Sequence, residues 1–542
     1  MSPRRSSDSG VREKPPASGR PSQESTLSIA DRSISPRSLE EASLPGFDRH
    51  YSLDDEPIWP KSWKAYTALF GCFLLMFNSW GLVNAYGTFA SYYKQHLLAG
   101  TGVLLLNLVG STQCFVVLSL SFVVGRLLDA GYSRWLTGIG GIFVTLGMFM
   151  LSLCSGNGGQ GDGSYGLVWL TQGLITGLGM ACFFVSTTVA ATWFKRRKSF
   201  AIGIVASGAS ISGLIYPVMT KYLIAEIGFN NAVRCVAGVV GFTSLLSFLL
   251  AVPDPAQIWR KPEAWLSKRV WVDTSAFQHT SFCWFAASIS FLFLGFYAVF
   301  FSLEEWAADF GFGIRDQVPG AFVDVTLGEQ EVQKDAIRTF WLLSIMNVSS
   351  TVGRVGSAWL SDHFGAVNVH AVVTTVASLL ILILWTLATK LNAAIAFVVL
   401  FGIFSGSVIG LPPASVAWIL GPHPTQQARL GQWTGMMYTL AAIPALIGPV
   451  IAGFLIQKFG NYYTVQGWSG ACLFVSALCM ILSRVYTHKE RTAFPAIGKR
   501  LSSAASTLFR RSLSVEKGEN TEAPMKGYLC CVGKLAVQAF GV

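Results

Sequence analysis

The sequence predicts an all-α polytopic membrane protein with twelve transmembrane helices arranged as two six-helix bundles. Twelve apolar stretches, each long enough to cross a bilayer, fill the chain from about Trp63 to Tyr486. A helix of about 20 apolar residues crosses the ~30 Å hydrocarbon core and satisfies its own backbone hydrogen bonds there. The composition agrees, because 52% of the residues are hydrophobic and only 13% are charged. A soluble enzyme has no use for a dozen such stretches.

The chain divides into five predicted segments, because a long connection separates the sixth apolar stretch from the seventh. The N-terminal segment is rich in Ser, Arg, Pro and Glu, and it cannot bury enough apolar surface to offset the entropy of ordering it. It also lacks the apolar run of a signal peptide. The segments are a disordered cytoplasmic tail (1–62), a six-helix bundle (63–252), a central cytoplasmic loop (253–279), a second six-helix bundle (280–486) and a cytoplasmic tail (487–542).

Each apolar stretch predicts one helix, in chain order. A second long connection, residues 304–337, follows the seventh helix and is polar and acidic. The predicted helices are 65–92, 102–124, 134–154, 165–190, 199–221, 232–252, 280–303, 338–360, 368–389, 393–418, 431–456 and 464–486.

Basic residues are concentrated in alternate loops. The loop after the second helix carries Arg126 and Arg134, and the loop after the fourth carries the run 195–198 (KRRK), whereas the third-to-fourth loop has no Lys or Arg. Basic loops are retained on the cytoplasmic side, so both termini are predicted to be cytoplasmic. The missing signal peptide allows the plasma membrane or the vacuolar membrane, and we favour the plasma membrane.

A related turn occurs after the second helix and at the end of the eighth. The first turn contains Arg126, Asp129 and Arg134, and the second contains Asp362. An aspartate in such a turn can cap a helix or pair with a nearby arginine. Because the turn recurs half a chain apart, we interpret these four residues as a cytoplasmic gating latch between the bundles. The alternative is a plain helix–turn–helix with an interfacial cap.

Three segments resemble a known family. The segment 193–208 (WFKRRKSFAIGIVASG), the segment 77–87 (FNSWGLVNAYG) and the segment 353–356 (GRVG), with the six-plus-six layout, are similar to the fungal branch of the monocarboxylate-transporter-like family. That family lies within the major facilitator superfamily. The resemblance covers about residues 60–490. It implies secondary active transport of a small organic solute by alternating access.

The chain departs from the animal members of that family at two positions. Those proteins carry a lysine in helix one and an aspartate one turn before the helix-eight arginine, where this chain has Gly87 and Ser350. The arginine is kept as Arg354. The resemblance therefore leaves two functions open. One is proton-coupled transport of a monocarboxylate or other organic anion, and the other is efflux of a fungal secondary metabolite or toxin.

Arg354 is the first candidate for substrate binding. An arginine inside a transmembrane helix costs several kcal/mol and faces a cavity or a partner. The functional interpretation is an anion-binding group. The structural alternative is that Arg354 extends to the membrane surface or pairs with Asp362.

Further candidates for substrate binding are polar or aromatic. Asparagine amides bind substrate oxygens or hold helices together, and Tyr and Trp offer flat, semi-polar surfaces. The same aromatic residues are common in the interfacial belts of membrane proteins. The candidates are Asn84, Tyr86, Asn347, Tyr297, Trp433 and Tyr438.

Two adjacent acids end the seventh helix, Glu304 and Glu305. If one is shielded from water, its pKa rises and it can accept the proton that drives transport. The alternative is a pair of interfacial charges on the outer face.

Several classes of function are excluded by motifs that the sequence lacks. It has no Walker-type loop for ATP, no metal-ligand spacing and no nucleophile elbow, so we expect no enzyme activity, no cofactor and no metal. The net charge of +11 lies in the tails and loops rather than in a nucleic-acid groove. The expected partners are the lipid bilayer, a small-molecule substrate and protons. A non-transporting membrane sensor is a third alternative.

Overall fold

The computed structural model describes residues 57–154, 161–183, 185–262, 265, 268–314 and 337–487. Ten helical segments in this part of the chain are long and apolar enough to cross a membrane. One of them, Lys198–Leu250, contains two crossings, because Gly228 has a φ of 76° and a ψ of 165° and reverses the chain. The helix Thr339–Phe364 adds a further crossing. The described residues therefore contain twelve crossings.

We number these crossings in chain order. They are α1 (Trp63–Leu97), α2 (Val103–Asp129), α3 (Ser133–Leu151), α4 (Tyr165–Trp193), α5 (198–227), α6 (229–250), α7 (Thr280–Asp309), α8 (Thr339–Phe364), α9 (Ala366–Trp385), α10 (Leu391–Gly410, continued by Pro412–Leu420), α11 (Leu430–Phe459) and α12 (Tyr463–Thr487).

The remaining regular elements are short. The strands β1 (Gly313–Ile314) and β2 (Ile337–Arg338) pair in parallel, with Gly313 opposite Ile337. They lie between α7 and α8. The short helical segments are Lys268–Trp271, Thr274–Gln278 and Pro424–Gln427.

The prediction of an all-α protein with twelve transmembrane helices is confirmed, and the largest differences are at helix ends. α5 and α7 continue about six residues beyond their predicted ends at 221 and 303. In α7 the added residues 304–309 (EEWAAD) include three acids. Hydropathy reports only the apolar part of such a helix, whereas the backbone hydrogen bonds continue into the polar membrane interface. The predicted connection 222–231 is helical except at Gly228. Nearly all of the two predicted tails lies outside the described residues.

Several helices are interrupted in their middle. α1 breaks at Ser79 and Ala85, α4 after Cys182, and α10 at Leu411, just before two prolines. Irregular backbone inside a membrane protein is tolerated where neighbouring groups bond to it or where it lines a cavity. The breaks therefore indicate that the space between α1, α4 and α10 is a candidate cavity.

Small residues bring α5 close to its neighbours. A Cβ on Gly203 would lie 2.7 Å from the carbonyl oxygen of Arg354 in α8, so only glycine fits there. Gly208 meets the backbone of Phe73 in α1 in the same way. Such close approach is how transmembrane helices gain packing energy without a hydrophobic driving force. α5 is therefore held tightly between α1 and α8.

Candidate functional site

A small cavity lies among the broken helices. The space open to the centre of a water molecule is about 20 Å³, which is room for one or two waters. This cavity, hereafter the central cavity, is lined by Met76, Ser79, Trp80, Val117, Thr187, Phe293, Ile409, Gly410, Pro413 and Tyr438.

Aromatic rings form much of its wall. Phe293 and Tyr438 meet edge to face, with ring centroids 6.0 Å apart. Behind them, the ring of Tyr297 is parallel to that of Trp80, with centroids also 6.0 Å apart. The hydroxyl of Tyr297 is buried and has no hydrogen-bond partner among the described residues. The wall therefore offers flat apolar surfaces with a few polar atoms.

Arg354 lies beside this cavity and is only 3% exposed. Its Nε donates to the Ser350 hydroxyl at 3.3 Å, and its Nη1 donates to the Ala206 carbonyl at 3.0 Å. Gly410, which lines the cavity, lies against its side chain. Within the described part of the chain, no carboxylate lies within ion-pair distance of Arg354. Pairing with Asp362 is therefore not observed, because that carboxylate bonds to α5 instead.

The three other polar candidates lie in helix contacts. The Asn84 amide donates to the Ala209 carbonyl at 3.2 Å, and the Tyr86 hydroxyl donates to the Leu106 carbonyl. The Asn347 amide donates to Leu343 at 3.0 Å within its own helix, and its buried Oδ1 has no described partner. None of these three side chains lines the central cavity in this closed state.

Trp433 lies at the cytoplasmic end, the end that loop charge predicts to face the cytoplasm. Its indole N–H donates to Asp273 at 3.1 Å, and its ring meets Phe282 edge to face. Of the predicted aromatic residues, Tyr438 lines the cavity and Tyr297 lies behind it, whereas Trp433 contacts the central loop.

At the opposite, outer end, α1 and α7 are joined by two polar contacts. Glu304 is 3% exposed and accepts a hydrogen bond from the Thr88 hydroxyl at 2.7 Å. Glu305 forms an ion pair with Lys94 at 2.7 Å. The two predicted proton-coupling candidates thus occupy different environments, one buried and one partly exposed. Both contacts must break before α1 and α7 can separate.

At the cytoplasmic end, two aspartates cap helices across the molecule. Asp129, at the end of α2, accepts from the backbone N–H groups of Gly431 at 3.1 Å and Gln432 at 2.8 Å, at the start of α11. Asp362, near the end of α8, accepts from Ser199 at 3.0 Å and Phe200 at 3.1 Å, at the start of α5. A carboxylate is favourable at a helix N-terminus because it satisfies free N–H groups and the helix dipole.

The central loop covers one of these two contacts. The Arg126 guanidinium donates to the carbonyls of Arg260 at 2.8 Å and Val270 at 3.0 Å, both in that loop. The backbone N–H of Arg260 donates to the Asp129 carbonyl at 2.8 Å. Arg134 is exposed, and its side chain has no contact with the described residues.

Asp273 anchors the same loop to the start of α11. Its carboxylate accepts from Arg429 at 3.2 Å and from the Ser275 hydroxyl at 2.5 Å, in addition to Trp433. Burial alone raises the pKa of Asp273, but the hydrogen bonds from Ser275 and Trp433 and the charge of Arg429 outweigh it, so this pKa lies below its ordinary value. Asp273 is therefore ionised at cytoplasmic pH.

The family model of the major facilitator superfamily matches residues 68–423. The chain belongs to this superfamily. Solved structures of similar fold include the fucose:proton symporter FucP of E. coli, with a TM-score of 0.52, 16% identity, and coverage of 76% of this chain and 98% of FucP. The nucleoside transporter NupG has a TM-score of 0.54 and 13% identity, with coverage of 77% and 99%. The chain is therefore a multi-pass membrane transporter.

Curated relatives of this facilitator are fungal. The MFS-type transporter dbaD of Emericella nidulans is 30% identical, with 75% of this chain and 81% of dbaD covered. The agnestins efflux protein AgnL12 of Paecilomyces divaricatus is 27% identical over 78% of this chain and 88% of that protein. The aspyridones efflux protein apdF of Emericella nidulans is 27% identical over 78% of this chain and 77% of that protein.

Sequence reasoning missed several residues around the cavity of this facilitator. Trp80, Thr187 and Ile409 line it, but each looks like an ordinary member of an apolar helix. One signal was available: the consecutive prolines Pro412 and Pro413 mark a break inside a predicted helix. The attachment of the central loop carried no comparable signal, because it depends on backbone carbonyls that any sequence provides.

Proposed function

We propose that this protein exports an aromatic organic acid of the secondary-metabolite kind, by proton-coupled alternating access. The observation that carries the proposal is the environment of Arg354. A buried cation without a carboxylate partner is costly, and an anionic ligand beside it offsets that cost. Among the described residues, the Arg354 guanidinium donates to one hydroxyl and one carbonyl, and neither acceptor is charged.

The wall of the central cavity supports an aromatic substrate. Trp80, Phe293 and Tyr438 present flat surfaces, and aromatic ligands gain both burial and ring-to-ring contact on such surfaces. The cavity has room for only one or two waters in the state described here, so a substrate enters when the helices separate at one end. Behind this wall, the buried hydroxyl of Tyr297 has no hydrogen-bond partner among the described residues.

The direction of transport is proposed from the relatives. Two of them are named as efflux proteins, for agnestins and for aspyridones. The monocarboxylate-transporter-like segments and Arg354 support an acidic group on the substrate. Import of a simple monocarboxylate is the second candidate, and Arg354 favours it to the same degree. We place the protein in the plasma membrane, because an exporter must deliver its substrate outside the cell.

Glu304 is the proposed site of proton coupling. It is buried between α1 and α7 at the outer end, and it accepts a hydrogen bond from Thr88. Its protonation would remove the charge at that contact when the outer end opens. Glu305 is less suited to this role, because its ion pair with Lys94 favours the charged carboxylate.

The test is untargeted mass spectrometry of cells and medium, with the gene present and deleted, at two external pH values. We expect an aromatic acid to disappear from the medium and to accumulate in the deleted cells. An acid that enters wild-type cells, more so at low pH, would replace export with import. A neutral compound as the exported species would contradict the role of Arg354.

Variants of Arg354 connect the transport result to the site. Arg354→Ala is expected to reproduce the deletion, whereas Arg354→Lys keeps the charge and retains part of the flux. Arg234→Ala is a matched control, because Arg234 is an exposed arginine in α6 that bonds Ser152 and Asn231 far from the cavity. Equal membrane amounts and a monodisperse elution profile must accompany the loss of flux. Unchanged export by Arg354→Ala would remove Arg354 from the site.

A further inference from the structure

Two consecutive prolines leave one backbone carbonyl of α10 without its helical donors. The carbonyl of Ile409 would accept from residue 412 in a 3₁₀ turn or from residue 413 in an α-turn, and both residues are prolines without an N–H group. No described side chain donates to this carbonyl. An unpaired carbonyl inside a membrane protein is costly unless water or a ligand bonds to it.

The neighbouring carbonyl shows how such a cost is normally removed. Val408 loses only its α-helical donor, at Pro412, and its carbonyl lies 3.0 Å from Nε2 of the fully buried His370. A carbonyl only accepts, so Nε2 carries the proton, and Nδ1 faces the Ser415 hydroxyl. The fold thus provides a donor for the carbonyl of Val408 and leaves that of Ile409 for another partner. Ile409 is one of the residues that line the central cavity.

A second unpaired group lies on the opposite wall of the same cavity. The Thr187 side chain in α4 is 3% exposed and lines the cavity. Its hydroxyl has no hydrogen-bond partner within the described residues. The residues that line the cavity therefore include one on α10 whose carbonyl lacks its helical donors and one on α4 whose hydroxyl is unpaired among the described residues.

We propose that Thr187 and the Ile409 carbonyl together bind a hydroxyl group of the transported molecule. The hydroxyl donates to the Ile409 carbonyl and accepts from the Thr187 hydroxyl, while Arg354 holds the acidic group. The substrate class is therefore a hydroxylated aromatic acid. This inference rests on the proposed function, because it concerns the same cavity.

The test is equilibrium binding to the purified full chain in lipid nanodiscs, with probes that differ by one hydroxyl. The acidic pair is 6-hydroxy-2-naphthoate and 2-naphthoate, and the neutral pair is 2-naphthol and naphthalene. We expect each hydroxylated probe to bind about three- to tenfold more tightly than its partner, the size of one net hydrogen bond.

Two variants remove the two groups separately. Thr187→Val deletes the hydroxyl at constant shape, and Pro413→Ala supplies an N–H group to the Ile409 carbonyl. Each is expected to reduce the preference for the hydroxylated probe to less than about twofold, measured as the ratio of the two affinities within the same variant. Thr188→Val is the matched control for the first, since Thr188 is buried but does not line the cavity. Pro444→Ala in α11 is the control for the second.

The outcomes separate this inference from the proposed function. Wild-type protein without a hydroxyl preference, or Thr187→Val with the full preference, overturns the hydroxyl site. Loss of 2-naphthoate binding in Arg354→Ala supports the anion site independently of any hydroxyl. If neither acid binds but 2-naphthol still binds more tightly than naphthalene, the hydroxyl site stands and the proposal of an acidic substrate fails.

Discussion

The two aspartate caps at the cytoplasmic end make the same contact in different surroundings. Asp129 accepts hydrogen bonds from two backbone N–H groups at the start of α11, and Asp362 accepts two at the start of α5. The two capped helices are six helices apart in chain order. Asp129 is 6% exposed and lies under the central loop. Asp362 is half-buried, and beside it α5 and α8 are joined by contacts between side chains. One of these contacts joins Arg197 to His363 at 3.2 Å.

This difference indicates how the cytoplasmic end opens. The local contact is equivalent on both sides, so the additional strength of the α2–α11 side comes from the central loop. Arg126 and Gln432 bind backbone carbonyls of that loop, and Asp273, within the loop, binds Arg429. A half-exposed carboxylate contributes less, because water competes for it. We expect the α5–α8 side to separate first and the α2–α11 side to separate only when the loop lifts.

Asp129→Asn is expected to have the largest effect. Hydrogen bonds to a buried charged group are worth about 1.5–3 kcal/mol, so loss of the charge shifts the closed-to-open ratio by about tenfold or more. Spin labels at Tyr132 and His423, which are exposed beside the ends of α2 and α11, report this shift as a larger population of long label-to-label distances. A distance distribution equal to that of the wild type would contradict a strong contribution of the Asp129 charge to the α2–α11 contact.

Asp362→Asn is expected to produce a smaller shift, of about three- to fivefold, because its carboxylate is half-exposed. Labels at Arg196 and Trp359 report separation of α5 from α8. If this shift equalled or exceeded that of Asp129→Asn, the two sides would have to be ranked in the opposite order.

Asp273→Asn tests whether the loop makes the difference. The change removes the ion pair with Arg429, so we expect the α2–α11 distance to shift by about two- to threefold in population. The α5–α8 distance should stay as in the wild type. Equal changes on both sides would mean that the loop acts on the whole end and not on the Asp129 contact.

The contribution of Asp273 to the attachment of the central loop should not change over the physiological pH range. The pKa of Asp273 is lower in the folded protein than in the unfolded chain, so its stabilisation is complete above the ordinary aspartate value of about 3.9 and is lost only as pH falls through the lowered pKa. The contribution of Asp273, measured as the difference in the α2–α11 distance distribution between the wild type and Asp273→Asn, should therefore be constant from pH 5 to pH 8. A change within this range that disappears in Asp273→Asn would assign a different pKa to this group.

Arg134→Ala should have the smallest effect. Its side chain is exposed and forms no hydrogen bond or ion pair with the described residues, so both distance distributions and the flux should stay within about twofold of the wild type. This variant is also the charge control for the others. A large effect would restore Arg134 to the latch that the sequence predicts.

The fold was predictable because it depends on long, redundant signals. Each of the twelve crossings is supported by about 20 apolar residues, so single exceptions such as Arg354 do not hide it. Helix ends were less predictable. The chain from 222 to 227 (YLIAEI), for example, contains one charged residue, Glu226, but remains helical up to Gly228.

The candidate site was predictable only in part, because it depends on which helices meet. The sequence identified Arg354 as an unusual residue in a membrane helix, and Asp129 and Asp362 as residues of two related turns. The partners of the two aspartates, however, lie at helices distant in the chain. No local pattern indicates that pairing. Thr187 and the carbonyl of Ile409 are ordinary in sequence and become distinctive only because one cavity contains both.

The connection between α5 and α6 is a single glycine, and this has a mechanical consequence. Gly228 has a φ of 76°, and helix continues on both sides of it without a flexible loop. So short a hinge cannot absorb a sliding motion of one helix past the other. We therefore expect α5 and α6 to rotate together as one rigid unit. A small displacement of α5 against Asp362 at one membrane face then produces a larger displacement at the far end of the pair.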